Sequence, residues 1–296
     1  MARDLETRVF TPVIPPEHQS QQADFKKFVG YMNQKAAAIG MSRSHFNDAA
    51  GMHNVTTARD LLLLLAYADR YPQLRKVWAT DNYTVTVEGA NPRTMPCVSK
   101  SMHPDLDDHY RALGKKGGTL RSSRLGLFVH NLAVILEIPG SRDRLAVVTM
   151  YANEDNQFPG NKFNATRQAA DIAMAKYKDP YADISTMPLC CENAIAALFP
   201  ADGFDHRILF EKDADTQGRP MSISKVLTAV CVLDHIKDLS AQITYHELDT
   251  NIGGFYIKDY LPGDRVTYQD ALYALMLESS NVTAQALARS VGQALR

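Results

Sequence analysis

Apolar and polar positions alternate along the chain with two periods. Between residues 24 and 38 apolar positions repeat at helical spacing, and Gly40 stops the pattern. Residues 41–52 read as a polar loop punctuated by Gly51. Thr56 and Thr57 then cap a second helix that runs to about Asp69, with Pro72 beyond its end. Tyr83 to Val87 alternates with period two and predicts a strand. Residues 89–113, carrying Pro92, Pro96 and Pro104, read as irregular. Residues 115–151 predict an antiparallel sheet. Its parts are a lead-in from Lys115, a segment from Leu125 to Ile138 that includes an apolar stretch, a turn at Pro139-Gly140-Ser141 and a strand from Arg144 to Tyr151. A helix is expected over 163–177. A hairpin-like pair, Ala194–Phe199 and Arg207–Phe210, is expected around Asp202-Gly203. Helices follow from Ser222, from Tyr268 to Glu278 and from Val282 to Val291, the last two interrupted at Ser279-Ser280-Asn281. Residues 1–22, with Pro12, Pro15 and Pro16, read as an arm, and residues 178–192, with Pro180 and Pro188, as a connector.

Composition narrows the picture. The 296 residues are 45% hydrophobic and 22% charged, the profile of a globular chain with room for one large domain or two small ones. A net charge of −1 gives no electrostatic case for nucleic acid or an anionic membrane. The longest apolar runs, such as Leu61 to Ala66 and Val226 to Leu233, are too short for a transmembrane segment. The first residues lack the apolar core of a secretory signal, so the chain is either cytoplasmic or without its address. Cys97, Cys190, Cys191 and Cys231 form no C-x-x-C, and the nine histidines show no zinc spacing. Reduced, partly buried thiols are the simpler reading, with one disulfide left open. No metal and no cofactor is called for.

Candidate chemistry centres on Ser222 and Lys225. Residues three apart on a helix share a face, so this Ser-x-x-Lys sets a hydroxyl beside an amine. A serine hydroxyl needs a neighbour to take its proton, and a lysine whose pKa is lowered by burial and nearby cations is such a neighbour. Taken alone, an N-cap serine followed by a solvated lysine is the simpler explanation.

Two further motifs change that balance: Ser279-x-Asn281 and Lys116-Gly117-Gly118. With Ser222-x-x-Lys225 they resemble the motif set of penicillin-binding proteins and serine β-lactamases. The flanks are closer still. Leu261 to Ala288 resembles the region around the second motif of D-alanyl-D-alanine carboxypeptidases. Met32 to Met41 and Thr57 to Leu61 resemble segments that follow it there, and Ile208 to Asp215 resembles the strand before the nucleophile. The resemblance covers most of residues 24–72, 113–151 and 193–292.

It implies an α/β (α+β type) penicillin-recognising transpeptidase/β-lactamase-like fold: a five-stranded antiparallel sheet flanked by helices, plus a helical subdomain. The motif order differs from the family's, with the third motif before the first, so the chain reads as a circular permutation. Residues 1–22 are then the arm, 23–177 the family's C-terminal half, 178–192 the connector and 193–296 the family's N-terminal half, the halves forming one catalytic domain. A natural or engineered permutant and a fragment spanning two gene copies both fit that order.

The resemblance also assigns roles. Ser222 is the implied nucleophile and Lys225 its base; Ser279 relays a proton to the leaving amine; Asn281 holds Lys225 and the substrate amide. Lys116 attracts the substrate carboxylate, Gly117 and Gly118 let the strand approach the substrate, and the N–H groups of Ser222 and Thr119 form the oxyanion hole. The implied activity is that of a serine D,D-carboxypeptidase cleaving D-alanyl-D-alanine ends of peptidoglycan stem peptides, acylated by β-lactam antibiotics and working outside the cytoplasmic membrane. One departure stands out. Gly117 occupies a place where the family usually carries threonine or serine, which keeps open an esterase or D-amino-acid amidase of the same fold; a β-lactamase is a further alternative, and the permuted order and missing signal keep open a non-catalytic binding scaffold. A register of Lys115-Lys116-Gly117 is the alternative to Lys116-Gly117-Gly118, with Lys115 otherwise a surface cation.

Overall fold

The computed structural model describes residues 19–101, 104–121, 128–153, 164–201, 205–250 and 260–295. The chain runs through α1 (Gln19–Ile39), α2 (Ala58–Ala68), α3 (Pro72–Trp78), β1 (Asn82–Gly89), β2 (Arg93–Val98), α4 (Pro104–Asp107), β3 (Ala112–Arg121), β4 (Phe128–Glu137), β5 (Arg144–Asn153) and α5 (Asn164–Lys178). It continues through β6 (Asn193–Phe199), β7 (Arg207–Lys212), a 3-10 turn at Met221–Ile223, α6 (Ser224–His235), β8 (Gln242–Thr244), α7 (Glu247–Thr250), β9 (Asp264–Thr267), α8 (Tyr268–Tyr273), a π-helical turn at Ala274–Glu278 and α9 (Asn281–Ala294).

Strands β3-β4-β5-β6-β7 form a five-stranded antiparallel sheet in that order. The period of two in a strand sorts its side chains onto two faces. Leu132, Val134, Leu136, Leu145 and Val147 pack on Ala169, Ala170 and Ala173 of α5. Ala133, Ile135, Ala146 and Val148 face the main core with the leucines of α2 and with Val226, Leu227 and Val230 of α6. Both faces are covered, which is why the middle strands read as continuous apolar runs and not as alternating ones. Strands β3 to β5 and β6 to β7 come from the two sides of the 178–192 connector and share this one sheet, while α1 packs along α9.

Several expectations need correction. Residues 89–113 are not irregular throughout, because they hold β2, α4 and the start of β3. Pro96 lies within β2, an edge strand, where a missing N–H costs no ladder bond. β2-β1-β9-β8 form a second antiparallel sheet, so the subdomain expected to be helical also carries four strands. α1 begins at Gln19, inside the segment read as an arm. Pro72, read as a helix stop, opens α3 instead, where its fixed φ and absent N–H suit the first turn. Asp202-Gly203 and the start of the Leu125–Ile138 stretch lie outside the described residues. The four cysteines are free thiols.

Candidate active site

Ser222 sits in the 3-10 turn that leads into α6, and Lys225 lies in the first turn of that helix. Lys225 is fully buried, and its Nζ makes three hydrogen-bonding contacts. It lies 2.7 Å from Asn281 Oδ1, 2.8 Å from the Ala50 carbonyl oxygen and 2.9 Å from Ser222 Oγ. None of the three partners carries a charge. Burial therefore pushes Lys225 down to about 7; Asp48 opposes the shift and Lys100 adds to it.

Ser279 and Asn281 reach the same place from the far end of the chain. The π-helical turn at Ala274–Glu278 ends on Ser279 in the left-handed region, φ 62°. Ser280 accepts from Thr283 N–H and caps α9, which makes Asn281 the first residue of that helix. A π turn and a non-glycine residue at positive φ are both costly features that concentrate at functional sites. Among the described residues, Met221, next to Ser222, also has positive φ, 54°.

β3 closes the cluster. Lys116 is buried, and its Nζ donates to Ser279 Oγ at 2.9 Å and to the Gly117 carbonyl at 3.0 Å. Burial holds Lys116 well below its ordinary value, with Lys225 and Lys100 adding like-charge repulsion. Strand alternation sends Lys115 the other way, to Asp81 at 3.3 Å and Asp107 at 3.2 Å. Of the two registers left open by the sequence, it is Lys116 that meets Ser279. Lys115 is a buried, paired cation and not a surface one. Gly118 lies where β3 passes the turn that carries Ser222. A Cβ there would come 2.8 Å from Met221 Cβ and 2.9 Å from Ser222 N, so any side chain would push the turn away. Gly117 N–H donates to the buried Ser101 Oγ at 2.8 Å. Thr119 is exposed, and its Oγ1 lies 2.9 Å from His130 Nδ1.

Several contributors carried no motif. The loop after α1 is folded around Asp48, whose carboxylate accepts from the N–H groups of Ala50, Gly51, Met52 and His53. Asn54 donates to the Asp48 carbonyl and to Ser224 Oγ. Thr228 Oγ1 donates to the Ala49 carbonyl. These bonds fix the Ala50 carbonyl against Lys225. The legible signal was Asn-Asp-x-x-Gly, a local turn pattern of side chain onto backbone. Ser101 and Lys100 gave no such signal. Among the described residues no cluster of three or more His, Cys, Asp or Glu has the geometry to hold a metal ion.

Comparison with known proteins bears on this arrangement. A family profile described as D-alanyl-D-alanine carboxypeptidase matches residues 21–118 and 195–294, more than half of the chain. The first block contains Lys116, Gly117 and Gly118, and the second contains Ser222, Lys225, Ser279 and Asn281. A D-alanyl-D-alanine endopeptidase of Escherichia coli is 40% identical over 58 residues, 19% of each chain. One from Pseudomonas aeruginosa is 41% identical over 66 residues, 22% of this chain and 21% of that one. The matched stretch is thus about a fifth of the length of each relative. No solved structure matches. With its matched blocks holding the buried lysines and both serines, the chain belongs to the D-alanyl-D-alanine carboxypeptidase family.

Proposed function

We propose that this chain is a serine D,D-peptidase that cleaves D-alanyl-D-alanine ends of peptidoglycan stem peptides through an acyl-serine, and that β-lactam antibiotics acylate the same serine. The observation that carries this reading is the partner set of Lys225. A neutral amine has two N–H donors and one lone pair. The Ala50 carbonyl and the Asn281 amide oxygen only accept, so they take both donors. The lone pair is left facing Ser222 Oγ, 2.9 Å away. A pKa of about 7 makes that neutral form abundant at physiological pH.

The chemistry follows. Ser222 gives its proton to Lys225 as its oxygen attacks the scissile carbonyl. The Ser222 and Thr119 N–H groups hold the oxyanion. Lys116 donates to Ser279 Oγ, which leaves the Ser279 proton to pass to the departing amine, while the proton that Lys225 took from Ser222 replaces it and Lys225 becomes neutral again. The C–N bond breaks, and water, deprotonated in the same way, releases the acid and restores Ser222. Lys100, exposed and close enough to repel both buried lysines, supplies positive charge for a terminal carboxylate.

Residue order is read as a circular permutation. It is supported by α1 lying along α9 and by the two matched blocks sharing one sheet. Work outside the cytoplasmic membrane is the compartment this reading favours. No described helix is long and apolar enough to cross a membrane. Gly117 favours one second reading, an esterase or D-amino-acid amidase, because that position brings no hydroxyl to the carboxylate. A substrate panel separates them: a peptide ending in D-Ala-D-Ala, one with the same bond placed internally, and a simple ester. Turnover of the first, lost in Ser222→Ala, supports the carboxypeptidase. Turnover of the ester alone contradicts it.

A further inference from the structure

We propose that Asn131 and Tyr151, on the middle strands of the large sheet, are positioning residues that hold both backbone groups of Arg219 and so set where Ser222 stands. The inference rests on the acyl-serine reading of Ser222 and concerns residues outside its motifs.

The device begins as a break in the β4–β5 ladder. His130 pairs with Ala152 and Leu132 with Thr149, so Asn131 alone stands opposite Met150 and Tyr151. Two residues facing one is a β-bulge, a feature that re-aims side chains beside active sites. Asn131 Oδ1 accepts from Tyr151 N–H at 2.9 Å and fills the gap in the ladder. Tyr151 takes φ 56°, a conformation that a bulky residue keeps only when its surroundings enforce it.

What the bulge aims at is the chain entering the nucleophile turn. Tyr151 Oη accepts from Arg219 N–H at 2.7 Å, and Asn131 Nδ2 donates to the Arg219 carbonyl at 2.8 Å. One residue is thereby gripped at both ends by two side chains from the sheet. The Tyr151 ring lies so close over Gly218 that a Cβ there would fall 2.5 Å from Cε2. Gly218 also exchanges both of its backbone hydrogen bonds with Thr56, each 2.8 Å. Between this anchored pair and Ser222 stand only Pro220, whose ring fixes φ, and Met221 at φ 54°. Little slack remains, so a displacement at Arg219 passes to the Ser222 hydroxyl. Misplacement of a reacting group by about 1 Å is enough for a loss on the order of 10²-fold in rate.

Core packing alone does not account for this arrangement. Asn131 is fully buried at the start of the apolar run from Leu132 to Leu136. A buried amide is tolerated there because both of its ends are paired.

The test uses the full chain and two variants. Tyr151→Phe keeps the ring over Gly218 and removes only the acceptor. Asn131→Asp keeps the acceptor for Tyr151 and removes the donor to Arg219. Intact-mass kinetics with a penicillin give the limiting acylation rate and the half-saturating concentration, and hydrogen exchange reads the amides of Arg219 to Ser222. Positioning predicts a limiting rate lower by about tenfold or more, a half-saturating concentration within about twofold, and faster exchange at Arg219. An unchanged limiting rate in both folded variants overturns the proposal. If the folded wild type is not acylated at all, the acyl-serine reading fails separately. Exchange then decides: unaltered protection at Arg219 overturns the clamp, and faster exchange retains it as the support of this turn. Should one variant not fold, the other carries the comparison.

Discussion

Two lysines at the same helix, Lys35 reaching it from α1 and Lys225 within α6 itself, are shifted in opposite directions. Lys35 Nζ lies 2.7 Å from Asp234 Oδ2 and above the rings of Tyr31 and Tyr67. Asp234 also accepts from Tyr31 at 2.8 Å and Tyr71 at 2.6 Å. Burial works against the charge of Lys35, but the bond to Asp234 and its negative charge outweigh burial and raise its pKa above the ordinary 10.5. Lys225 is buried with neutral partners only, and burial wins. The difference is one carboxylate in contact. It also fixes the sign of each lysine's effect on stability. Lys35 stabilises the fold fully below pH 10.5, and that contribution is lost only as pH rises through its raised native value. Lys225 penalises the fold below about 7, and the penalty is relieved between about 7 and 10.5, where the unfolded chain holds a proton that the native chain does not.

The comparison is broken most severely by removing the amine. Lys225→Met should lower the limiting rate of acylation by a penicillin by roughly 10²–10⁴-fold at neutral pH, the range for loss of a general base. Next comes turning Lys225 into a second Lys35. Asn281→Asp puts a carboxylate in place of the amide 2.7 Å from Nζ. In the wild type the acylation rate should rise with pH through about 7 as Lys225 loses its proton. In Asn281→Asp the rise should move to higher pH, and acylation at neutral pH should fall. A pH–rate profile unchanged in that variant would show that Lys225 is not the titrating base. The reverse exchange, Asp234→Asn, leaves three donors competing for one amide oxygen. It should cost about 1–3 kcal/mol in denaturant unfolding and leave the inflection near 7 in place. The smallest effect belongs to the surface. Arg111, largely exposed, and Glu137, half-buried, lie 2.9 Å apart and should contribute no more than about 1 kcal/mol, so Arg111→Ala should barely move the unfolding midpoint.

These effects trace what the sequence made legible. Ser222, Lys225, Ser279, Asn281 and Lys116 were readable because each motif states a residue type and a spacing, and the turns they sit in are local. The apolar runs of β4, β5 and β6 were readable for the same reason. Asp234 was not, because its donors Tyr31, Lys35 and Tyr71 are distant in sequence and meet it only once the helices pack. The small sheet was missed because its β8 and β9 are three and four residues long and lie across the chain from β1 and β2. Asn131 did leave a trace, a buried amide beside an apolar run, but its target at Arg219 depends on a bulge that no local pattern announces. The Ala50 carbonyl had no side chain to read at all. Its role comes from how Asp48 folds the loop.

Activation of Ser222 by the neutral form of the buried Lys225 is open to a direct test. The measurement is intact mass after incubation with a penicillin at mildly alkaline pH, for the wild type and for Ser222→Ala. One covalent adduct is expected on the wild type, formed faster as pH rises through about 7, and none on Ser222→Ala. No adduct on a folded wild type, or an equal adduct on both chains, would contradict it.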